Sequence, residues 1–253
     1  MKYVVFIDYD GKAYHGWQVQ PHALSVQGVL EKNISTLLRT KVSIIGCGRT
    51  DAGVHARNYP FHMECPVIEI HDFKYHLNAI LPNDVSINSI YPVGDLFHAR
   101  FGAITRSYTY HIHGRKNPFS KNHSWYFRPF YKLDFNRMRH AAKILLEYEL
   151  FFPFCKTGHD AKSYLCVLWE SRLEIDEEKS TISYHITSNR FLRGMVRLIV
   201  GMLIQVGLGQ LSIEQVCIAL DKQERLTKPL SAPAHGLFFM GASYPANILE
   251  IES

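Results

Sequence analysis

The spacing of apolar residues switches repeatedly between a strand period and a helix period, and this switching is the strongest constraint on the fold. Tyr3, Val5 and Ile7 alternate along a first strand that ends before Gly11. An apolar stripe of helical spacing then follows Ser25, a residue suited to cap a helix. The first half predicts a strand at 2–9, a helix from 26, a strand at 42–47, a helix between positions 72 and 82, and a strand at 86–93.

The second half repeats this order with longer elements. Asp134 is suited to cap one helix, and an apolar helical pattern begins near Phe191. The predicted elements are a strand at 100–113, a helix after 134, strands at 164–175 and 181–187, helices at 191–206 and 212–220, and a strand at 237–244. No linker rich in Pro, Gly or Ser separates the halves, so we expect two related α/β halves that share one sheet.

The charge balance is compatible with an anionic partner. Lys and Arg exceed Asp and Glu by 28 − 23 = 5, and the sequence pI is about 8.9. Six cations are concentrated in the middle of the chain. They form either a solvated basic face or a set of contacts to an anionic partner. These residues are Arg100, Arg106, Arg115, Lys116, Lys121 and Arg128.

The cysteines and the apolar segments exclude several classes of protein. The five cysteines are scattered and contain no C-x-x-C pair, which argues against a disulfide framework or a zinc site and favours small buried thiols. The longest strongly apolar stretch, 198–206, is too short to cross a bilayer. No signal-peptide pattern precedes the first strand, so we expect a cytoplasmic protein.

The segment from Gly46 to Ala56 is the most informative for function. It places three glycines, an arginine and an aspartate directly after a predicted strand, and glycines permit tight turns and the close approach of a ligand. A turn or a helix cap is the ordinary role of a loop aspartate such as Asp51. Alternatively, the neighbouring Arg49 would keep the Asp51 carboxylate ionised for chemistry. The residues alone leave both interpretations open.

Several short motifs, taken in order, resemble one enzyme family. Gly48 to Ala56 reads GRTDAGVHA, the signature loop of the tRNA pseudouridine synthase A family. The resemblance covers nearly the whole chain. Its other motifs are Tyr9-Asp10-Gly11 with Gly16-Trp17-Gln18, Ser25-Val26-Gln27, Leu81-Pro82-Asn83-Asp84, Phe97-His98-Ala99-Arg100-Phe101, Arg106-Ser107-Tyr108-Thr109-Tyr110, Phe191 to Arg197, and His235-Gly236-Leu237.

This resemblance implies a role for each matching position. Asp51 is the nucleophile, Arg49 helps to hold the flipped-out nucleotide, and Tyr108 stacks on the target base and assists proton removal from C5. Arg197 pairs with the catalytic carboxylate, and Leu237 lies in an apolar pocket under the base. Without the resemblance, Tyr108 and Leu237 would be ordinary sheet or core residues.

Three further positions are expected to bind substrate: Arg193, Arg106 and His55. Arg193 and Arg197 lie four residues apart on an otherwise apolar helix, where a partly buried arginine needs an anion, and Asp51 is the candidate partner of Arg197. In the same helix, Gly194 and Gly201 predict a close backbone contact.

The resemblance also implies a fold. We expect an α+β protein with two RRM-like or ferredoxin-like halves that share one long mixed, largely antiparallel sheet. The helices are expected on one side of the sheet, with a central cleft. Residues 1–97 would form the N-terminal half, which carries the catalytic loop, and residues 98–253 the half that completes the cleft.

The implied activity is isomerisation of uridine to pseudouridine in the anticodon stem-loop of tRNA, at positions 38 to 40. The aspartate attacks either C1′ of the ribose or C6 of the base. The base must first be extruded from its stem. The reaction needs no metal, nucleotide or redox cofactor. The partners implied are tRNA and a second copy of the chain in a homodimer.

Two regions depart from the family pattern and leave alternatives open. Arg57-Asn58-Tyr59-Pro60 replaces the usual Gly-Gln, and we expect Pro60 to cap or interrupt the strand that normally follows. The segment 147–154 also differs, and both regions are expected near the RNA-facing surface. A divergent paralogue with another RNA site, or a non-catalytic RNA-binding or RNA-chaperone protein on this scaffold, is therefore an alternative. A glycoside-processing enzyme ranks far behind, because it would need a second carboxylate.

Overall fold

A computed structural model describes residues 1–158 and 162–246 of the chain. Those residues form five α-helices and one mixed sheet of nine strands, so the predicted α+β class is confirmed. The strands are β1 Lys2–Tyr9, β2 Ile44–Gly46, β3 His55–Glu64, β4 Val85–Val93, β5 Thr105–His113, β6 Trp125–Tyr126, β7 Leu168–Asp176, β8 Thr181–Ser188 and β9 Leu237–Ser243. The helices are α1 Val26–Leu38, α2 Ile70–Ile80, α3 Phe135–Ile144, α4 Met195–Gly207 and α5 Ile213–Lys222.

The chain divides into two compact units. The first consists of Met1–Arg106 together with the described residues from Phe238 onward, and the second is Ser107–Leu237. The sequence placed the division between residues 97 and 98 and assigned the whole C-terminus to the second half. The described residues from Phe238 onward instead pack with the first unit, because β9 pairs with β3 in parallel at His55 and Ala56.

The first unit has the strand order β4-β1-β3, with both β2 and β9 paired to β3. The pairs β1–β3, β1–β4 and β2–β3 are antiparallel. With α1 after β1 and α2 after β3, the β-α-β-β-α-β order is the ferredoxin-like arrangement that was expected. β1 is buried along most of its length, and its Val4 and Phe6 pack against Phe97 and Ala99.

The expectation that Pro60 interrupts the following strand is wrong. β3 runs through this position, with Pro60 opposite Phe6 of β1. On its other edge β3 pairs with β9 at residues 55–56 and with β2 at residues 61–63, so Pro60 lies between the two partners. There its carbonyl accepts a hydrogen bond from the Cys47 N–H at 3.0 Å. A proline is tolerated at a strand position whose backbone nitrogen does not have to donate a hydrogen bond to a neighbouring strand.

The second unit contains the neighbouring strands β5-β8-β7, with β6 beside β5. α3 contacts β7 and α4. The Ile182, Tyr184 and Ile186 side chains on one face of β8 are fully buried, and the residues between them belong to the opposite, more polar face. The order β5, α3, β7, β8, α4 repeats that of the first unit, as the sequence predicted.

The segment 147–154 contains exposed residues at Glu147, Glu149 and Leu150 as well as residues of the core. Phe151 and Phe154 are 0% and 1% exposed. The Phe151 N–H donates to the Tyr164 carbonyl at 3.0 Å. Tyr59, in the other departing region, is also buried. Arg57 and Asn58 are exposed, so the departing regions contain both core and surface residues, and an altered RNA site stays an alternative.

The cysteines and the helices agree with the expectations from composition. Cys47, Cys65, Cys155 and Cys166 are buried, and Cys217 is half-buried. Within the described residues, none of the helices has the length and apolar character needed to traverse a bilayer.

Candidate active site

Asp51 lies in a loop between β2 and β3, where the chain turns before it enters the sheet. The Asp51 side chain is half-buried, the neighbouring Arg49 is exposed, and Thr50 between them is buried. The Val54 N–H donates to the Asp51 carbonyl at 3.2 Å, which closes a tight turn over Ala52 and Gly53. The nucleophile proposed from the sequence is thus held in an ordered turn.

Gly16 allows a second segment to lie directly against this loop. Gly16 has a φ of +93°, and a Cβ at this position would lie 2.4 Å from the Thr50 carbonyl oxygen and 3.2 Å from the Asp51 carbonyl carbon. The next residue, Trp17, donates its N–H to the Thr50 carbonyl at 3.2 Å. The Gly16-Trp17 motif therefore fixes the backbone of Asp51, because only glycine permits this approach.

Tyr59 of β3 holds the start of the same loop. Its hydroxyl donates to the Gly48 carbonyl at 2.5 Å and accepts from the Gly48 N–H at 3.4 Å. The Tyr59 ring lies 4.2 Å from the Trp17 ring and 5.1 Å from Phe239 of β9, measured between centroids. One aromatic cluster thus supports both contacts to the loop.

The Tyr9-Asp10-Gly11 motif holds the end of the loop. The Tyr9 hydroxyl is 2.9 Å from Thr50 Oγ1. His55, which is 1% exposed, has its Nδ1 atom 3.0 Å from Asp10 Oδ1 and 3.2 Å from the Gly11 N–H. One ring nitrogen cannot donate and accept simultaneously, so the proton position selects one of these two bonds. Phe238 stacks on the His55 ring at 4.6 Å, and this burial favours a role in fixing the loop.

Arg106 is bonded to the backbone of the first unit. Its Nε and Nη2 atoms donate to the Cys47 carbonyl at 3.3 and 3.1 Å, and Nη1 donates to the Ala103 carbonyl at 3.1 Å. Burial raises the pKa of the Cys47 thiol to about 12, so that thiol stays protonated. The hydrogen bonds from Arg106 to the Cys47 and Ala103 carbonyls favour a structural role for this side chain over the expected contact with RNA.

In the second unit, Tyr108 is half-buried on β5, with its ring edge-on to Phe191 at 5.0 Å. This contact restricts the orientation of the Tyr108 ring. Tyr110, two residues further on, is fully buried and donates its hydroxyl to the Pro233 carbonyl at 2.7 Å. Of the two tyrosines, Tyr110 is therefore the one that belongs to the core.

Arg197 is oriented by an extended segment that runs along α4. Its Nε donates to the Ala232 carbonyl at 2.7 Å, and the Ala232 N–H donates to the Arg197 carbonyl at 3.0 Å. Gly201 makes the predicted close backbone contact, because a Cβ there would lie 1.7 Å from the Leu230 carbonyl oxygen. Gly194 instead precedes α4 with a φ of +71°. The guanidinium plane of Arg197 is thereby fixed.

The eight residues proposed from the sequence fall into two sets, each described within its own unit. Arg49, Asp51, His55 and Arg106 belong to the first unit. Tyr108, Arg193, Arg197 and Leu237 belong to the second, where Arg193 is exposed and Leu237 is 6% exposed. The pairing of Asp51 with Arg197 stays a prediction.

Tyr59 is a functional candidate that the sequence did not identify. It was noted only as a departure from the family pattern, because its contact with Gly48 depends on how β3 packs under the loop. The Tyr9 and Gly16-Trp17 motifs were found, but their contacts with Thr50 could not be foreseen from spacing alone.

Residues 5–102 and 142–245 match the sequence pattern of a protein family described as tRNA pseudouridine synthase. Both matched stretches together contain six of the eight proposed site residues, and Arg106 and Tyr108 lie between the stretches.

Several curated relatives named tRNA pseudouridine synthase A are similar over nearly their full length. One from Bacteroides thetaiotaomicron is 39% identical over 100% of this chain and 94% of its own. One from Porphyromonas gingivalis is 39% identical over 98% of both chains. One from Bacillus subtilis is 34% identical over 94% of this chain and 97% of its own. The chain therefore belongs to the tRNA pseudouridine synthase family, whose members isomerise uridine to pseudouridine in tRNA.

Proposed function

We propose that this chain isomerises uridines in the anticodon stem-loop of tRNA, at positions 38 to 40, with Asp51 as the nucleophile. The observation that carries the proposal is the way the Asp51 loop is fixed. Gly16, Tyr9 and Tyr59 bind its backbone or its neighbouring side chains from three directions. Catalysis by a positioned carboxylate requires this kind of rigid presentation.

The chemistry matches a single carboxylate in a nucleophilic role. The C1′–N1 bond of uridine breaks, the uracil turns, and a C1′–C5 bond forms while the proton at C5 is lost and one returns to N1. Atoms and electrons balance within the nucleotide, so no oxidant or reductant takes part. Asp51 bonds transiently to C1′ or to C6 and is released when the rearranged nucleoside leaves.

The second-unit residues supply binding and charge in this proposal. Tyr108, oriented by Phe191, stacks on the extruded uracil and offsets part of the lost base stacking, roughly 1–3 kcal/mol. A guanidinium has five N–H donors, and the bond to Ala232 fixes the plane of Arg197. We propose that other donors of Arg197 pair with Asp51 and that Leu237 contacts the base.

The peripheral residues hold the rest of the nucleotide. We propose that the exposed Arg49 and Arg193 contact phosphates of the flipped nucleotide and its neighbours. The buried His55 and the backbone-bonded Arg106 act by holding the loop. Their contribution is to position Asp51, because His55 Nδ1 and the Arg106 guanidinium are bonded to the chain.

By resemblance, the active species would be a cytoplasmic homodimer in which one tRNA contacts both subunits. Light scattering coupled to gel filtration measures this directly. A mass near twice 29.2 kDa supports the dimer, and a mass near that of one chain contradicts it.

The decisive test compares wild type with Asp51→Asn on unmodified tRNA transcripts, with pseudouridine detected position by position. The substitution keeps the side-chain shape and removes the charge, so we expect the rate to fall roughly 10³-fold or more while tRNA binding remains. Asp95→Asn, at an exposed aspartate, is the control. Equal activity of Asp51→Asn and wild type would favour the non-catalytic RNA-binding alternative. Pseudouridine found only outside the anticodon stem-loop would favour the divergent paralogue.

A further inference from the structure

The second unit contains a pocket lined by imidazole, hydroxyl and apolar groups. Its volume is about 330 Å³, near the lower end of the range for small-ligand sites and suited to a single nucleotide-sized group. None of Tyr108, Arg193, Arg197 or Leu237 lines it. The residues that define it for this argument are His111, His113, Phe119, His123, Ser124 and Ser183.

The polar groups of the pocket are imidazoles and hydroxyls that are already arranged in pairs. His111 Nδ1 lies 3.0 Å from Ser183 Oγ, and His113 Nδ1 lies 2.9 Å from Ser124 Oγ. Burial, and then the charge of His235, lower the pKa of His113, so this ring is neutral at physiological pH. Neutral donors and acceptors of this kind suit ribose hydroxyls and base edges.

The surrounding chain is strongly basic. Residues 105–133 contain six Lys or Arg and no Asp or Glu. Of these cations, Arg115, Lys116 and Lys121 lie within three positions of a pocket-lining residue in sequence and are exposed. Such a segment attracts a phosphate backbone, and each contact releases counterions.

Two acidic residues of β7, which lie opposite the lining residues Ser183 and Thr181 of β8, have cationic partners of their own. Glu174 is bonded to Arg172, and Asp176 lies 2.9 Å from Lys179. The positive charge beside the pocket is therefore not neutralised by these carboxylates.

Phe119 provides an aromatic surface at the pocket. It is 92% exposed, an unusual position for a large apolar side chain unless a partner covers it. The turn that carries it, Pro118–Ser120, is held by the Asn117 side chain, which accepts from the Phe119 N–H at 2.9 Å. An exposed ring beside basic side chains is the arrangement that binds unpaired nucleotides by stacking and charge.

We propose that this pocket binds one unpaired nucleotide of the RNA substrate other than the reacting uridine, with the base on Phe119 and a flanking phosphate at Lys121. The imidazole and hydroxyl pairs at His111 and His113 contact the ribose and the base edge. This inference rests on the proposed function, since it takes the substrate to be RNA.

The test measures the affinity of the full-length protein for an unmodified tRNA transcript by fluorescence anisotropy across a salt series. Phe119→Ala removes the stacking surface, so Kd should rise roughly tenfold at every salt concentration, with an unchanged salt slope. Lys121→Ala should weaken binding and reduce the slope of log K against log salt by about 0.7–0.9. For both variants, kcat/KM should fall by about the same factor as the affinity.

Matched controls separate these effects from general damage. Tyr75→Ala removes a ring that is 68% exposed on α2, and Lys32→Ala removes an exposed cation on α1. Neither control should change Kd beyond error, and thermal melting should show that all four variants fold.

Three outcomes would overturn the subsite. These are Phe119→Ala binding as tightly as Tyr75→Ala, Lys121→Ala retaining the wild-type salt slope, or Phe119→Ala losing catalytic rate at saturating RNA with unchanged affinity. Failure of the proposed function looks different: the wild-type protein would form no pseudouridine, whereas the binding series would still report on the pocket.

Discussion

At the scale of single residues, Tyr59 supports the loop that carries Asp51, the proposed nucleophile. Its hydroxyl binds both backbone groups of Gly48, three residues before Asp51, and its ring packs on Trp17. The Trp17 N–H in turn binds Thr50. Tyr59 therefore restrains the loop through two routes, and we interpret it as a positioning residue that itself touches no reacting atom.

Tyr59→Phe should lower catalysis more than stability. It removes one hydroxyl and preserves the aromatic packing, so we expect a loss of about 0.5–1.5 kcal/mol in unfolding free energy. The single-turnover rate should fall roughly 10- to 100-fold, because small displacements of a catalytic group are costly. Anisotropy and single-turnover assays at saturating enzyme separate affinity, which should be retained, from rate.

Tyr244→Phe is the matched control for this variant. The Tyr244 hydroxyl donates to the Ala99 carbonyl at 2.7 Å, so the same kind of bond is lost in the same unit. If Tyr244→Phe lowers the unfolding free energy by a similar amount but leaves the single-turnover rate unchanged, the result would support a positioning role for Tyr59. Equal rate losses in the two variants would instead show a general structural effect.

At the residue scale, the sequence could predict the features of the site that depend on neighbouring positions. The turn at Asp51 follows from Gly48, Gly53 and the strand before them, all within a few positions in sequence. The contact of Tyr59 with Gly48 could not be predicted, because it depends on β3 turning back under the loop. His55 and Arg106 illustrate the same limit. Their residue types suggested RNA binding, whereas tertiary contacts with Asp10 and Cys47 favour structural roles.

At the scale of elements, α4 and the extended segment that follows α5 determine how Arg197 is held. The segment crosses α4 at Gly201, where its Leu230 carbonyl approaches the helix backbone. One helical turn earlier in α4, Ala232 exchanges two hydrogen bonds with Arg197. The close approach of the segment to Gly201 and the orientation of the Arg197 side chain therefore depend on each other.

Gly201→Ala should destabilise the protein and disturb Arg197. The added methyl would lie 1.7 Å from a backbone oxygen, which cannot move aside as a flexible side chain can. We expect a loss of about 1–3 kcal/mol in unfolding free energy by chemical denaturation, although alanine favours helices. Catalysis should fall as well, because the Ala232 carbonyl would shift.

Gly28→Ala in α1 serves as the comparison for this substitution. The nearest atoms to its added methyl would be side-chain atoms of Ser25 and Val19, at 3.1 and 3.6 Å. Stability should change by less than about 1 kcal/mol, since helix propensity offsets the mild crowding. If Gly201→Ala were as stable and active as Gly28→Ala, the crossing would not control Arg197.

Element predictions were accurate where capping and periodicity agreed. Ser25 and Asp134 cap α1 and α3 as expected, accepting from the Gly28 and Arg137 N–H groups. β3 was not predicted, because its burial does not alternate. It lies between β1 and other strands, and a bulge at Asn58, which has a φ of +50°, resets its register. A sequence pattern with mixed periodicity gives no strand signal in such a case.

At the scale of the whole molecule, the first unit is discontinuous in sequence. The described residues from Phe238 onward pack with residues that begin at Met1, so the unit that carries Asp51 is completed only by β9. No local pattern could reveal this, since parallel pairing of β9 with β3 joins positions about 180 residues apart. The predicted halves, 1–97 and 98–253, followed chain order for that reason.

Phe239→Ala tests whether the chain end supports the catalytic loop. Phe239 is 1% exposed and packs on Tyr59, whereas its neighbour Met240 is 37% exposed. We expect Phe239→Ala to cost about 3–5 kcal/mol and Met240→Ala less than about 1 kcal/mol. Hydrogen exchange should quicken in β3 and at residues 46–54 in the first variant, because the ring that supports Tyr59 is lost. Exchange that quickened only around residue 239 would mean that β9 stabilises itself without supporting the loop, and the first unit would then not depend on the chain end.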